Sequence, residues 1–251
     1  MEMIKSKNDL KIMDQACAIV NQVLFHLSEL AKPGVSTFFL DKEANRLCKE
    51  KDVVPAFLGY FDYPASVCIS INDEVVHGIP KKDKILKEGD IVSIDFGVLK
   101  DGFYGDAAIT IGLGRMDIKD QQLIETTKDC LKNAIKFCIA GNNLGKVSYA
   151  IQTTAEKAGY SVIRDFVGHG IGSKLHEPPQ IPNYGSPEDG PILEEGMVLA
   201  IEPMLCEGDW RVYVDEDGWT VKTRDGKKSA HFENCVAITS NGPKILGNNL
   251  F

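Results

Sequence analysis

LKEGDIVSID, residues 86–95, returns as LEEGMVLAIE at residues 193–202, an offset of 107 residues, and an acidic residue ends both copies. A further acidic residue leads into an apolar stretch after each copy, Asp106 after the first and Glu233 after the second. A buried carboxylate without a partner costs several kcal/mol or stays protonated. Four of them, Asp95, Asp106, Glu202 and Glu233, therefore predict a site for metal cations.

The repeat extends back through two pairs of helices. Gly34 and Gly141, which stop the first helix of each pair, are also 107 residues apart. The apolar spacing predicts helices over 8–31 and to about Lys51, with Ser36 or Thr37 as the cap of the second, and again over 118–139 and to about Gly159. We predict one catalytic domain, 1–251, made of duplicated halves at about 8–112 and 115–243.

Strand-like segments follow each helix pair. Residues 91–97 and 103–110 flank Leu99-Lys100-Asp101-Gly102, and a symmetric four-residue loop would place Asp95 opposite Asp106. In the second half, 219–223 and 229–239 are joined around Asp225-Gly226. Helices outside a mostly antiparallel sheet define an α+β fold.

Composition limits the function classes. The chain has 251 residues, 43% of them hydrophobic, and a net charge of −8, which argues against a nucleic-acid footprint. The N-terminus has no apolar signal core, and no segment reaches the roughly 18 apolar residues of a membrane span. Seven cysteines without C-x-x-C spacing predict reduced thiols. We expect a cytoplasmic protein without a membrane anchor.

The histidines decide the kind of metal site, since carboxylates alone would suit calcium or magnesium. His169 stands in Gly168-His169-Gly170-Ile171-Gly172, where we expect the glycines to let the backbone and ring approach a ligand. His77 stands at a strand end, and its structural and functional interpretations are balanced. His231 shares the face of Glu233, yet its lysine-rich surroundings predict a solvated residue. His26 is predicted to be structural.

The sequence lacks the motifs of other common catalytic sites. The sequence has no G-x-S-x-G, no Walker loop and no G-x-G-x-x-G, which argues against a serine hydrolase or a nucleotide-binding enzyme. Cys68 is interpreted as a pocket or core residue rather than as a thiol nucleophile paired with His77.

Taken in order along the chain, the motifs resemble the type I methionine aminopeptidases of the compact bacterial kind, over nearly the whole length. The motifs are Gly59-Tyr60, Tyr63-Pro64-x-Ser66-Val67-Cys68-Ile69-Ser70-Ile71-Asn72, Val76-His77-Gly78-Ile79-Pro80, Asp95, Asp106, Gly168-His169-Gly170-Ile171-Gly172 with His176, Ile201-Glu202-Pro203-Met204, Gly218-Trp219-Thr220 and Glu233. The resemblance implies the pita-bread fold of the creatinase and aminopeptidase enzymes, whose internal pseudo-twofold matches the repeat.

The resemblance also implies a centre of two divalent metal ions, cobalt, manganese, iron or zinc. Asp106 and Glu233 would bridge both ions, Asp95 would complete one, and His169 with Glu202 the other. Glu202 would also carry the proton of the nucleophilic water.

The implied substrate is the initiator methionine of nascent peptides, near the ribosome, removed when the next residue is small. His77 would contact the scissile amide nitrogen, and His176 the carbonyl side. The residues matching the methionine pocket are Tyr60, Tyr63, Cys68 and Trp219. Three positions depart from the family pattern: Phe57, Leu175 and Ala107. We expect a monomer.

Two alternatives remain. One is a proline-directed dimetal peptidase of the same fold, such as prolidase or aminopeptidase P, which carries an additional N-terminal domain that we do not expect here. The other is a noncatalytic interaction protein that has kept the fold, against which the presence of all five implied ligands argues.

Overall fold

A computed structural model describes residues 4–247, so the first three and last four residues of the predicted domain lie outside the described part. Four α-helices and one 3-10 turn, Tyr60–Asp62, occur in that part. The helices are α1 Lys7–Leu30, α2 Thr37–Glu50, α3 Ile118–Ile135 and α4 Gly145–Lys157. The strands are β1 Val54–Pro55, β2 Cys68–Ile71, β3 Glu74–Val76, β4 Ile91–Lys100, β5 Phe103–Gly112, β6 Ser161–Val162, β7 Gly168–Gly170, β8 Glu177–Ile181, β9 Val198–Ile201, β10 Met204–Cys206, β11 Val212–Val214, β12 Val221–Thr223, β13 Ser229–His231, β14 Glu233–Thr239 and β15 Gly242–Ile245.

The four helices begin and end close to their predicted bounds. Ser36 caps α2, because its hydroxyl accepts a hydrogen bond from the backbone N–H of Phe39. α3 ends at Ile135, four residues before the predicted Ile139. The N–H groups of Phe137 and Cys138 bond three residues back, so the chain tightens into a turn there.

The main sheet has nine strands, and all its pairs are antiparallel. Its order is β1-β4-β5-β14-β9-β7-β8, with β2 also on β4 and β15 also on β14. β5 of the first half pairs with β14 of the second at the centre. The predicted α+β class and antiparallel sheet are confirmed.

The 107-residue repeat is visible in the hydrogen bonds. The N–H of Gly34 donates to the carbonyl of Leu86, and the N–H of Gly141 donates to the carbonyl of Leu193, both at 2.8 Å. Isolated bridges join Ser36 to Ile85 and Asn143 to Ile192, again at equivalent positions of the two halves. The duplicated sequence thus makes the same backbone contacts twice.

The predicted register of the first hairpin is wrong by two residues. Lys100 pairs with Phe103, so the loop is only Asp101-Gly102, and Asp106 faces Gly97 instead of Asp95. Both loop residues have positive φ, 48° and 84°, which fits the tight two-residue turns that join twisted strands.

The predicted strand pair around Asp225-Gly226 also differs. β12 pairs with β11 and β3, whereas β13 pairs with β10, so the two segments belong to different small sheets. β9 pairs with β14 instead. This pair in the second half corresponds to the pair of β4 with β5 in the first half.

The two faces of the main sheet carry different packing. One face is covered by helices, in a core that includes Val20, Leu24, Ile94, Phe96 and Val236. The other face packs Tyr63, Cys68, Ala200 and Cys235 together and bears the four acidic residues of the repeat on the same side of their strands. No helix within residues 4–247 combines the length and apolar character needed to cross a bilayer.

Candidate functional site

The acidic residues of the repeat meet on the sheet face opposite the main helical core. Strand register places Cys68, Asp95, Ala108 and Glu233 in one row across four neighbouring strands. Asp106 lies two residues from Ala108 on the same face. Side chains from strands about 4.8 Å apart can therefore converge above the small Ala108.

Gly97 leaves room for Asp106. A Cβ on Gly97 would lie 3.1 Å from Asp106 Oδ1 and 3.0 Å from the Cβ of Ala56, which is tighter than ordinary contact. The glycine opposite Asp106 thus allows that carboxylate to lean across β4.

Three of the acidic residues have buried oxygens without a hydrogen-bond partner among the described residues. They are Asp95 Oδ1, Asp106 Oδ1 and Glu233 Oε1. Buried acceptors in native proteins are nearly always paired. Three unpaired carboxylate oxygens on one surface are suited to bind cations. One possible ligand atom each from Asp106, His169 and Glu233 lie within 4.8 Å of one another.

Burial also changes the protonation of the acidic cluster. Desolvation raises the pKa of Asp106 to about 7. It raises the pKa values of Asp95, Glu202 and Glu233 well above their usual range, and neighbouring carboxylates add to the rise. Without cations, the cluster holds protons near neutral pH.

His169, on β7, offers a neutral imidazole to the acidic cluster. Burial, followed by the proximity of His176, lowers the pKa of His169 to about 3. Its Nδ1 lies 2.9 Å from the carbonyl oxygen of Gly170, which assigns the proton to Nδ1. Its Nε2 lies 3.6 Å from Glu202 Oε1, so a free lone pair faces the acids.

The glycines around His169 allow close packing of the strands. A Cβ on Gly168 would lie 2.5 Å from the carbonyl oxygen of Ala200, and one on Gly170 would lie 2.2 Å from that of Pro178. They let β7 approach its neighbours, and this close packing fixes the ring of His169 beside Glu202.

The prediction that His231 is solvated is wrong. Only 1% of His231 is exposed, and its Nε2 lies 3.6 Å from Glu202 Oε2. Burial is the largest cause that lowers its pKa, to about 3. The lysines before it lie in the preceding turn, whereas β13 carries His231 inside. The alternation of His231 with Glu233 was the informative signal.

A cavity of about 250 Å³ opens beside the acidic cluster. All six residues predicted to bind substrate line it: Tyr60, Tyr63, Cys68, His77, His176 and Trp219. Further lining residues are Phe57, Phe61, Val76, Phe166, Val167 and Leu175. Phe57 and Leu175, two of the departures from the family pattern, thus form part of the wall. Phe61, Val76, Phe166 and Val167 are apolar and belong to no sequence motif that marks a binding site.

Two histidines stand at the rim and wall of the cavity. His176 has its Nδ1 2.7 Å from the hydroxyl of Tyr60, and its ring centroid lies 4.3 Å from that of His169. His77 has a positive φ of 59°, a rare conformation for a residue with a side chain. Its ring meets Phe166 and Trp219 edge to face.

The segment that carries His176 is tied to the N-terminal end of the chain. Lys5 Nζ donates to Glu177 Oε2 at 2.5 Å, and both side chains are almost fully buried. Glu177 Oε1 also accepts a hydrogen bond from the backbone N–H of Lys174. A buried ion pair with several hydrogen bonds fixes the segment next to His176.

Comparison with known proteins agrees with this geometry. The family model described as metallopeptidase family M24 matches residues 11–240. The chain is 47% identical over 246 residues to a methionine aminopeptidase of Clostridium acetobutylicum, covering 98% of each chain. It is 48% identical over 249 residues to that of Aquifex aeolicus, covering 96% of each.

Solved structures show the same relation. The methionine aminopeptidase of Thermotoga maritima superposes with a TM-score of 0.97 at 47% identity, covering 99% of this chain and 100% of that one. The prolidase of Pyrococcus horikoshii has a TM-score of 0.78 at 24% identity, and only 64% of its chain is covered. The similarity to prolidase therefore shows a shared fold only. That fold agrees with the predicted pita-bread architecture.

The metal-free protein should lose stability as pH rises above about 6.5. Buried Asp106, with a folded pKa of about 7, keeps a proton that the unfolded chain loses near pH 4, so its contribution to the free energy of unfolding falls as pH rises from about 4 and is lost about one pH unit above 7. The buried histidines act oppositely, but only below their unfolded pKa of about 6.5. Asp106 alone should lower the free energy of unfolding by roughly 1 kcal/mol between pH 6.5 and 8.

Urea denaturation of chelator-treated protein at both pH values measures this loss. Asp106→Asn should reduce the difference, and saturating Mn²⁺ should abolish it. An unfolding free energy that stays level between pH 6.5 and 8 would contradict the buried, protonated cluster.

Proposed function

Because the chain belongs to metallopeptidase family M24, we propose that it removes the initiator methionine from polypeptides whose second residue is small. The observation that carries the proposal is a single cavity with an acid and histidine cluster at one side and aromatic, aliphatic and sulfur groups around it. An unbranched thioether side chain suits such walls.

The proposed metal ligands are Asp95, Asp106, His169, Glu202 and Glu233. Asp95, Asp106, Glu202 and Glu233 would hold two divalent ions through carboxylate oxygens, and His169 would hold one of them through Nε2. The oxygens of Asp95, Asp106 and Glu233 that have no hydrogen-bond partner among residues 4–247 support the assignment, as does the Nε2 of His169, which faces Glu202. Oxygen ligands with one imidazole suit manganese, iron, cobalt or zinc.

Bound divalent ions would lower the pKa of a water and stabilise negative charge on the scissile carbonyl oxygen. Glu202 would accept the proton of that water and pass it to the departing amine. Its side chain is 13% exposed beside the cavity, and its raised pKa suits a group that holds a proton between steps.

The two histidines that line the cavity would orient the peptide. His77, held between Phe166 and Trp219, would contact the scissile amide nitrogen. His176, whose ring is fixed by the Tyr60 hydroxyl, would hold the carbonyl side. Tyr60, together with Tyr63, Cys68 and Trp219, would surround the methionine side chain.

The setting of the enzyme is also part of the proposal. We propose one catalytic domain over residues 1–251 with duplicated halves at about 8–112 and 115–243. We also propose that a cytoplasmic monomer acts on nascent chains near the ribosome. The proposal that the protein does not bind nucleic acid rests on its net charge of −8.

A peptide panel tests the reaction. With Mn²⁺ present, Met-Ala-Ser should be hydrolysed, whereas Met-Leu-Ser should be cleaved at least about tenfold more slowly because its second residue is larger. Ala-Pro peptides should remain intact. Steady-state kcat/KM for each peptide gives the answer. Cleavage confined to the proline substrates would identify a prolidase-like activity instead.

Glu202→Gln should lower kcat about 100-fold or more, because the amide is a weaker ligand and cannot carry the proton. The measurement is kcat on Met-Ala-Ser at saturating Mn²⁺, together with the thermal unfolding midpoint. Glu216→Gln, at an exposed position, is the matched control and should leave kcat unchanged. Turnover near that of the wild type in Glu202→Gln would remove Glu202 from the proposed role.

A further inference from the structure

His231 is a buried imidazole that the proposed reaction does not use. It does not line the cavity, so it approaches Glu202 from outside the substrate site. Neither of its ring nitrogens has a hydrogen-bond partner among the described residues. Burying an unpaired polar group costs about 1–3 kcal/mol, so an apolar residue would fill this position more cheaply.

The backbone around His231 is fixed on two sides. His231 pairs with Met204 across β13 and β10. Its N–H donates to Thr110 Oγ1 at 2.9 Å, and its carbonyl accepts from the same hydroxyl at 2.6 Å. Thr110 in turn contacts Ser93 Oγ at 2.8 Å. The position of the ring is therefore set by strands of both halves.

The carboxylate of Glu202 lies between two imidazoles. Oε1 is 3.6 Å from His169 Nε2, and Oε2 is 3.6 Å from His231 Nε2. Both distances are a few tenths of an ångström beyond a normal hydrogen bond. A neutral imidazole has one N–H to donate, and Glu202 Oε2 is the acceptor that faces Nε2 of His231.

We propose that His231 is a positioning residue that donates a hydrogen bond to Glu202 Oε2 and so directs Oε1 toward the metal ligands. The inference rests on the proposed role of Glu202 as a ligand. Hydrogen bonds to the far side of ligating groups orient them, and their loss costs about 10–100-fold in metal affinity or activity.

Two variants distinguish the hydrogen bond that His231 donates from the space that its side chain fills. His231→Gln keeps an N–H donor of similar reach, whereas His231→Leu fills the space without a donor. Titration calorimetry with Mn²⁺ alone should show at least about tenfold weaker binding for the leucine variant and binding within about threefold of wild type for the glutamine variant. On Met-Ala-Ser, His231→Leu should lower kcat with little change in KM.

The same substitutions at His26, a half-buried helix residue 3.9 Å from Glu43, are matched controls and should change neither quantity. In a Glu202→Gln background, His231→Leu should cause no further loss of Mn²⁺ affinity, because its effect passes through Glu202. Thermal unfolding identifies a variant that fails to fold. In that case His231→Asn, whose shorter side chain cannot reach Oε2, replaces the leucine.

Wild-type Mn²⁺ affinity in His231→Leu would overturn the inference, as would equal losses in the leucine and glutamine variants. Failure of the proposed function gives a different result: the wild-type protein would then neither bind Mn²⁺ nor cleave Met-Ala-Ser.

Discussion

Mutual repulsion and desolvation of four carboxylates on one sheet face constrain the rest of the structure. Asp95, Asp106 and Glu233 come from adjacent central strands, and Glu202 follows the next strand. In the absence of cations, burial raises the pKa of each of these groups, and three of their oxygens have no hydrogen-bond partner within residues 4–247. Such an arrangement is costly for a structural core and favourable for a metal centre. The helical core on the opposite face holds the strands in place, and Met13 and Cys17 of α1 reach the apolar cluster beside the acidic residues.

The duplication supplies the carboxylates, and departures from the duplication supply the chemistry. The two halves repeat their backbone bonds at Gly34 and Gly141, and each contributes one acid from each of two paired strands. The imidazoles break the symmetry. His169 belongs to the second half, and the position 107 residues earlier is Asp62. His231 also belongs to the second half, so both imidazoles that face Glu202 stand on one side of the pseudo-twofold.

The sequence predicted the helices, the antiparallel sheet and the residues that gather at the site, because apolar periodicity and repeated motifs report local structure directly. It missed the register of the first hairpin, because loop length depends on the backbone conformation of Asp101 and Gly102 and not on residue type alone. It also missed the burial of His231. Nearby lysines indicated solvent, but those lysines lie in the turn, and tertiary packing carries the following strand inside. Phe166 and Val76 reach the cavity wall only through long-range folding.

The release of protons on metal binding tests most directly whether the metal centre is built from buried, protonated carboxylates. Titration of metal-free protein with Mn²⁺ at pH 7, in buffers of different ionisation enthalpy, gives the number of protons released per bound ion. Buried protonated carboxylates must lose their protons to become ligands, whereas His169 is already neutral. At saturation, more than about one proton per protein should be released. Binding without proton release would contradict a centre built from protonated, buried acids.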